Sequence, residues 1–403
     1  MIRKVIFWFH LILGLAAGIV ILIMSATGVL LMYEKQIIAW TDGAYLEQAA
    51  TAGVPRVPAE TILTTIQKAA NGAAPTTVTF YAGSAAASAA AGGSTYYVNA
   101  YTGELMGQGS QKVRASFRSV TDWHRYVAMS GDSRPTGKSI TGASNLIFLF
   151  VVVSGAVIWW RAAIGWFKGG LRGKAMYFNW HHVFGVWTVV PLFLVVLSAT
   201  VISYPWASNL VYTLTWSEVP AQGGGGRGRN NQTNRAAEID ISGVDAGLAL
   251  AEAAVPGWRT IAVRLSADSK APLSFTIDER KAGQPQYRST VTVDRSTGAI
   301  ASIERFQDQN LGRRTRSWLR YVHTGEYYGI AGQTIAGIAS FAGVMLVWTG
   351  FALSLHRLSA WIKRKKRLPE IPAMETPAQV HEEIGARRST ALSTRGLPEG
   401  IGD

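Results

Sequence analysis

Hydrophobic residues gather in four runs, each near or above the ~20 residues that a helix needs to cross a bilayer. The predicted transmembrane helices cover residues 5–33, 139–160, 177–204 and 333–356. The first run far exceeds the roughly 7–15-residue core of a signal peptide and precedes no clear A-x-A site, so we predict an uncleaved span. The pattern therefore indicates a membrane α-helical protein built on a four-helix transmembrane bundle.

Two long, more polar segments lie between the spans of each half, at 34–138 and 205–332. In the first, residues 59–72 have helical spacing of apolar positions, and residues 244–258 have the same spacing in the second. In each segment, a helix is therefore the first predicted element. The repeated order predicts an internal duplication.

A predicted strand pair follows the helix in each segment, STYYVNAYTGELMG at 94–107 and STVTVDRSTGAIASIERF at 289–306. A Thr-Gly after a short polar turn suits a tight hairpin, because Gly accepts positive φ. Four residues of each turn align at one constant offset: Val98, Asn99, Thr102 and Gly103 with Val293, Asp294, Thr297 and Gly298. We therefore predict two α+β domains of common origin.

Three stretches have the composition of irregular structure. GSAAASAAAGGS (83–94) predicts a loop between strands, and AQGGGGRGRNNQTNR (221–235) predicts a flexible linker. The basic tail, 357–403, is predicted to be largely disordered.

The formal charge of +14 is unevenly distributed. If four spans alternate, its clusters fall on one side of the membrane, namely Arg3, Lys4, Arg161, Lys168, Arg172, Lys174 and the run KRKKR at 363–367. This positive-inside pattern predicts that both termini and the 161–176 loop are cytoplasmic and that the two long segments lie outside. Membrane lipid thereby explains the charge, and we expect no nucleic-acid partner.

The sequence has no cysteine, which excludes disulfides, Fe–S clusters and c-type haem attachment. GDSRPTGKS resembles the end of a phosphate-binding loop, but Gly131 is one residue too far upstream for that motif. No G-x-G-x-x-G follows a predicted strand, so no flavin or nicotinamide domain is expected. Electrons for any redox reaction would come from another molecule.

Histidines at membrane depth are costly and therefore candidate functional residues. His10 and His181 lie at equal predicted depth, roughly 10 Å inside the cytoplasmic face. His124 and His323 each precede the second span of their half, on the outer side. Neutral imidazole ligates haem iron axially, so these two matched pairs predict two b-type haems with these four residues as iron ligands. The alternative is another metal site or a proton relay, which the scarcity of Asp and Glu in the spans disfavours.

Two arginines lie beside the outer histidines, Arg125 and Arg320. Guanidinium binds carboxylate bidentately, so both are candidate partners of haem propionates, or alternatively interfacial anchors. His10 and His181 share the spacing H-x-x-x-G, which favours His181 over the adjacent His182. The glycine of that spacing leaves room for a flat macrocycle or for a neighbouring helix.

Several motifs together resemble the PepSY-associated transmembrane-helix family, whose members include the FoxB-type and PiuB-type iron-regulated membrane proteins. They are FHLILGL, DWHRYV, SGAVIWW, NWHHVFGVW, SYPWA and WLRYVHTGEYYG, together with the two V-[ND]-x-x-T-G hairpins, which resemble PepSY domains. The resemblance covers about residues 5–360.

The resemblance implies two periplasmic PepSY-like domains and, for the reductase members, two b-type haems and reduction of siderophore-bound iron. The four paired histidines occupy positions where the family pattern has histidine. His182 occupies a position where a polar non-histidine is more usual, and His182 and His356 stay weaker candidates.

The resulting hypothesis is an inner-membrane electron conduit. An unidentified cytoplasmic or membrane donor would reduce the inner haem, and a ferric siderophore in the periplasm would accept the electron from the outer one. Two alternatives stay open: a non-redox PepSY-type binding or peptidase-regulating module, and a siderophore permease. Both predict a colourless or weakly coloured protein.

Overall fold

The computed structural model describes residues 1–50, 53–159, 166–220, 240–266, 268, 270–280 and 284–366. Residues 1–352 form one unit, and the described part of a second unit, 353–403, is the end of the last helix. The predicted linker at 221–235, most of the predicted tail and His381 lie outside the described residues.

The described chain alternates long helices with short helices and strands. Its α-helices are α1 (Ile2–Leu31), α2 (Glu34–Thr41), α3 (Gly43–Leu46), α4 (Ala59–Ala69), α5 (Gln111–Tyr126), α6 (Arg134–Trp159), α7 (Gly173–Ser203), α8 (Pro205–Leu214), α9 (Val244–Ala254), α10 (Leu311–His323) and α11 (Gly329–Lys366). Its strands are β1 (Thr77–Tyr81), β2 (Ala86–Ala91), β3 (Ser94–Asn99), β4 (Leu105–Gln108), β5 (Thr260–Arg264), β6 (Leu273–Asp278), β7 (Arg288–Val293) and β8 (Ile300–Arg305).

Four helices, α1, α6, α7 and α11, are long and apolar enough to cross a membrane. They correspond to the four predicted spans, with ends displaced by about one to five residues except at the last helix, which continues about ten residues further. Only 17–39% of each apolar window is buried within the protein, which fits side chains that face lipid. The last helix runs to Lys366, so the first part of the predicted disordered tail is helical.

All eight strands form one antiparallel sheet in the order β4-β3-β2-β1-β5-β6-β7-β8. The first four strands come from the first long segment and the last four from the second. The halves join where β1 pairs with β5, with Val78 opposite Val263 and Phe80 opposite Ile261. The two segments predicted as separate domains therefore share a sheet, because each would otherwise leave an apolar edge strand unpaired.

Helices α4 and α9 cover one face of this sheet and close a single core. Alternate residues of the central strands point into it, as the two-residue period of a strand requires, and the largest are Phe80 and Phe275. Polar groups also connect α9 to the first residue of α4 and to the segment just before it. Asp245 accepts a hydrogen bond from the backbone N–H of Ala59, and Arg56 pairs with Glu252 at 2.6 Å.

The hairpins β3–β4 and β7–β8 turn in the same way. The side-chain oxygens of Asn99 and Asp294 each accept hydrogen bonds from the N–H groups two and three residues later. The N–H of Gly103 donates to the Asn99 carbonyl at 2.8 Å, and that of Gly298 to the Asp294 carbonyl at 2.9 Å. Both glycines have positive φ, +75° and +64°. The predicted role of the Thr-Gly turns is confirmed.

The prediction of a loop at 83–94 is wrong, because residues Ala86–Ala91 form strand β2. Ala87 lies opposite Phe80 on one side and Val98 on the other, so a small side chain fits between larger ones. Gly92 and Gly93 both have positive φ and make the two-residue turn into β3. Burial in the sheet outweighs the weak strand propensity of alanine.

The repeated turn gives a matched pair of substitutions. Gly298→Ala introduces a left-handed alanine at a cost of about 1–2 kcal/mol, and its Cβ would meet open space. Gly103→Ala should lose more, because its Cβ would lie 2.8 Å from Cγ2 of Thr61. Thermal unfolding of the purified full chain measures both.

Removing the obstructing methyl provides the control. Thr61→Ala combined with Gly103→Ala should return the loss to the level of Gly298→Ala. Equal losses for the two single glycine variants would contradict the packing described for the first turn.

Candidate functional site

The structure brings His10 of α1 and His181 of α7 together inside the bundle. Their ring centroids lie 6.4 Å apart, with the ring planes at 80°. Both side chains are partly buried. We call these two residues the inner pair.

The ring nitrogen Nδ1 of each inner histidine is hydrogen-bonded to a hydroxyl of a neighbouring helix. His10 Nδ1 lies 2.9 Å from Oγ of Ser154, and His181 Nδ1 lies 2.9 Å from Oγ1 of Thr349. Both hydroxyls donate to carbonyls about one turn earlier on their own helices, at 3.1 and 2.6 Å. Because each hydroxyl proton is thus engaged, the imidazole is the donor, and its Nε2 carries the free lone pair.

His124 of α5 and His323 of α10 form a second pair, the outer pair, with ring centroids 6.2 Å apart. His124 Nδ1 lies 3.0 Å from Oγ1 of Thr27, which donates to carbonyls of α1. His323 Nδ1 donates to the carbonyl of Val195 at 2.9 Å, with Oγ of Ser198 at 3.4 Å. A carbonyl can only accept, so His323 also carries its proton on Nδ1.

Glycine follows three of the four hydroxyl residues and lets a ring approach the helix. A Cβ on Gly28 would lie 3.6 Å from Cε1 of His124. A Cβ on Gly155 would lie 3.4 Å from Cε1 of His10, and one on Gly350 would lie 3.7 Å from Cε1 of His181. At the fourth position, Ser198 is followed by alanine. The glycines therefore provide room for imidazoles beside the backbone.

The glycines of the H-x-x-x-G spacing have a different role. A Cβ on Gly14 would meet Val151 at 4.0 Å, and one on Gly185 would meet Leu346 at 3.7 Å. Both glycines therefore face neighbouring helices, as one of the two predicted roles requires.

The two pairs lie at different levels of the bundle. His10 contacts Ser154 while Thr27, on the same helix, contacts the outer pair, and His181 and Ser198 stand in the same relation on α7. At ~1.5 Å per residue, positions 10 and 27 are about 25 Å apart along the helix. Between the levels lies an apolar cluster of Val152, Leu192, Val196 and Ala339.

The outer pair lies on helices outside the four spans. Burial, reinforced by the nearby His323, lowers the pKa of His124 to about 4. Burial also lowers the pKa of His323. Both rings are therefore neutral near pH 7, which is the form that binds metal ions.

The remaining candidate residues lie apart from these contacts. Arg125 and Arg320 are exposed, with guanidinium carbons 5.3 Å and 6.0 Å from the rings of Tyr126 and Tyr321. The structure thus leaves both predicted roles, propionate partner and interfacial anchor, open to them.

The weaker histidine candidates are not part of either pair. The ring centroid of His182 lies 4.5 Å from that of Trp159. His356 is an exposed residue of the second unit. The adjacent residues His181 and His182 therefore point to different neighbours, as helical geometry requires.

Each pair offers two protein ligands to a metal ion. Among the described residues, no group of three or more His, Cys, Asp or Glu side chains could hold one. An ion bound between two imidazoles would therefore need further ligands from another molecule. A porphyrin would supply four ligands and leave two to be supplied by histidines.

A family model described as PepSY-associated TM region matches residues 7–357. The chain belongs to the PepSY-associated transmembrane family. All four paired histidines lie within the matched range. No curated protein matches the chain.

In this PepSY-associated protein, sequence reasoning missed the hydroxyl partners of the histidines. A signal for them exists, since a Ser-Gly or Thr-Gly pair occurs in the first, second and fourth spans, at 27–28, 154–155 and 349–350. The pair alone is not specific, because Thr141-Gly142 has the same form but donates to the Arg125 carbonyl instead.

Proposed function

We propose that the protein is an inner-membrane electron conduit that binds two b-type haems and reduces a periplasmic ferric siderophore. The observation that carries this proposal is that four imidazoles meet as two pairs, each with its Nδ1 hydrogen-bonded and its Nε2 free. Paired neutral imidazoles with this second bond are the usual form of histidine ligands to metals.

The separation of the rings supports an iron ion between them. Two imidazole nitrogens about 2.0–2.1 Å from one metal ion, on opposite sides, put the ring centres roughly 6.3–6.5 Å apart. The inner and outer pairs have separations of 6.4 Å and 6.2 Å. A hydrogen bond between the two rings would bring their centres closer.

The side chains then have distinct roles. His10 and His181 would hold the inner haem iron, and His124 and His323 the outer one. Arg125 and Arg320 are assigned to the propionates of the outer haem, by charge and by their position beside the outer pair. Haem supplies an iron that accepts and donates one electron at a time.

The apolar cluster between the levels offers water no hydrogen-bond partners. Water and ions are thereby excluded from the path between the pairs, so that charge crosses as electrons. The two levels are about 25 Å apart along α1, from position 10 to position 27.

The direction of transfer follows from charge. Arg3 and Lys4 precede His10 on α1, and Lys168 and Arg172 lie just before α7, which carries His181. By the positive-inside rule this end is cytoplasmic, and the sheet is then periplasmic. A cytoplasmic or membrane one-electron donor would act at the inner end. At the outer end Fe(III) becomes Fe(II), which the oxygen donors of a siderophore hold less strongly.

An internal duplication would explain why the ligands come in pairs. The order span, short helices, four strands, helix, span occurs twice, with the same hairpin turn in both halves. Each pair takes one histidine from each half, at corresponding places in the order. Two copies facing each other would thus create both sites at once.

A reduced-minus-oxidised absorbance spectrum of the purified protein tests haem binding. We expect the Soret and α bands of b-type haem, with two haems per chain. His10→Ala and His124→Ala should each lose about one haem, and the double variant both, because each removes one axial ligand. His182→Ala is the matched control on the same helix as His181 and should keep both haems. A protein without these bands after incubation with haemin would favour the non-redox module or the permease.

Electron transfer is tested in sealed vesicles that enclose an impermeant reductant, with a ferric siderophore outside and a coloured Fe(II) chelator to report its reduction. The wild type should reduce the external iron. His10→Ala and His124→Ala should each lower the rate of iron reduction by at least tenfold, because the loss of either haem interrupts the electron path. Uptake of the intact siderophore without a reductant would instead identify a permease.

A further inference from the structure

In all four paired histidines, Nδ1 is hydrogen-bonded to an oxygen atom of a neighbouring helix. In three of them the acceptor is a Ser or Thr hydroxyl whose own proton is donated to a helix carbonyl. The Oγ1 of Thr27, for example, lies 2.6 Å from the carbonyl of Ile23 and 3.1 Å from that of Met24. The hydroxyl is therefore oriented with a lone pair toward the ring, and it can act on the imidazole only as an acceptor.

At the fourth histidine, the acceptor itself fixes the direction of the bond. His323 donates to the Val195 carbonyl, which has no proton to offer. Ser198 donates to the same carbonyl at 2.8 Å. All four histidines therefore share the tautomer with the proton on Nδ1.

We propose that Thr27, Ser154 and Thr349 are positioning residues that fix this tautomer and set the reduction potential of the iron held by each pair. The inference rests on the proposed function, because it concerns the electronic properties of haem ligands. Its physical basis is that an Nδ1–H bonded to an acceptor makes the imidazole a stronger donor through Nε2. A stronger donor stabilises ferric over ferrous iron and lowers the potential.

One histidine differs from the other three in how its bond is made. At His10, His124 and His181 the short bond ends on a side-chain hydroxyl. A backbone carbonyl is a further partner of each ring, from Val151, Met24 and Leu346 respectively. At the outer pair, His323 uses a backbone carbonyl that substitution cannot remove, with Ser198 farther away at 3.4 Å. Removing a hydroxyl should therefore change the reduction potential less at His323 than at the other histidines.

The test is a spectroelectrochemical titration of the haem-loaded full chain, which resolves two midpoint potentials. Ser154→Ala and Thr349→Val should raise only the potential of the inner haem, and Thr27→Val only that of the outer one. We expect about a tenfold change in the ferric-to-ferrous ratio at fixed potential, which is about 59 mV for one electron. Thr27→Ser and Thr349→Ser keep the hydroxyl and should leave the potentials unchanged.

Thr188→Val is the matched control. Thr188 is buried on α7. Its hydroxyl donates to the carbonyl of Phe184 in the same way, but it is not hydrogen-bonded to any of the paired histidines. Ser198→Ala should also have little effect, because the carbonyl bond stays. Two bound haems with unchanged potentials in Thr27→Val and Ser154→Ala would overturn the proposal, as would an equal shift in Thr188→Val.

A measurement on haem-free wild-type protein separates this inference from the proposed function. Nitrogen-15 NMR of the histidine-labelled full chain distinguishes protonated from unprotonated ring nitrogens. The four paired histidines should show the proton on Nδ1, and the opposite tautomer would overturn the proposal. A chain that binds no haem but shows these tautomers would refute the conduit and leave the hydrogen-bond assignment standing.

Discussion

Placing imidazole rings inside an apolar bundle is the constraint on which the site depends. A buried N–H without an acceptor costs about 1–3 kcal/mol, and lipid offers none. Every helix backbone already uses its own carbonyls, so the acceptors must be side chains or a shared carbonyl. The protein meets this need with Ser154, Thr349, Thr27 and the Val195 carbonyl. Once Nδ1 is satisfied in this way, the only unsatisfied group of each ring is Nε2, on the edge that a metal ion would use.

The second constraint is that each site needs a ligand from both halves of the chain. Two helices of one half cannot supply a pair at one level, since their histidines lie at opposite ends. The halves must therefore be held in register, and the continuous sheet does this through the pairing of β1 with β5. Two polar contacts connect the start of the last span to the end of the first. Lys35 forms an ion pair with Glu326 at 2.8 Å, just before α11. Gln333 of α11 donates a hydrogen bond to the Met32 carbonyl. Register in the sheet and register in the bundle thus support each other.

The sequence was sufficient to place residues along the helices but not around them. Apolar runs and charge located four spans, and counting residues from their ends matched His10 with His181 in depth. The Asn99 and Asp294 turns were also predictable, because their requirement for Gly is local. The hydroxyl partners were not, since contact between Ser154 and His10 depends on how two helices are rotated against each other. The strand at 86–91 was missed because its alanines carry no strand signal of their own, and only neighbours such as Phe80 make a small residue favourable there.

The outer pair differs from the inner one in being tied to the sheet. Its histidines lie on α5 and α10, short helices that enter the bundle from the sheet side. Arg288 of β7 binds Asp278 through two nitrogens and donates to Tyr321, two residues before His323. At the other helix, Arg114 of α5 pairs with a buried aspartate that also accepts a hydrogen bond from a tyrosine of β3. The inner pair is thus positioned by the spans alone, whereas the sheet helps to position the outer pair. The contacts of Arg288 and Arg114 therefore fix the outer pair relative to the sheet.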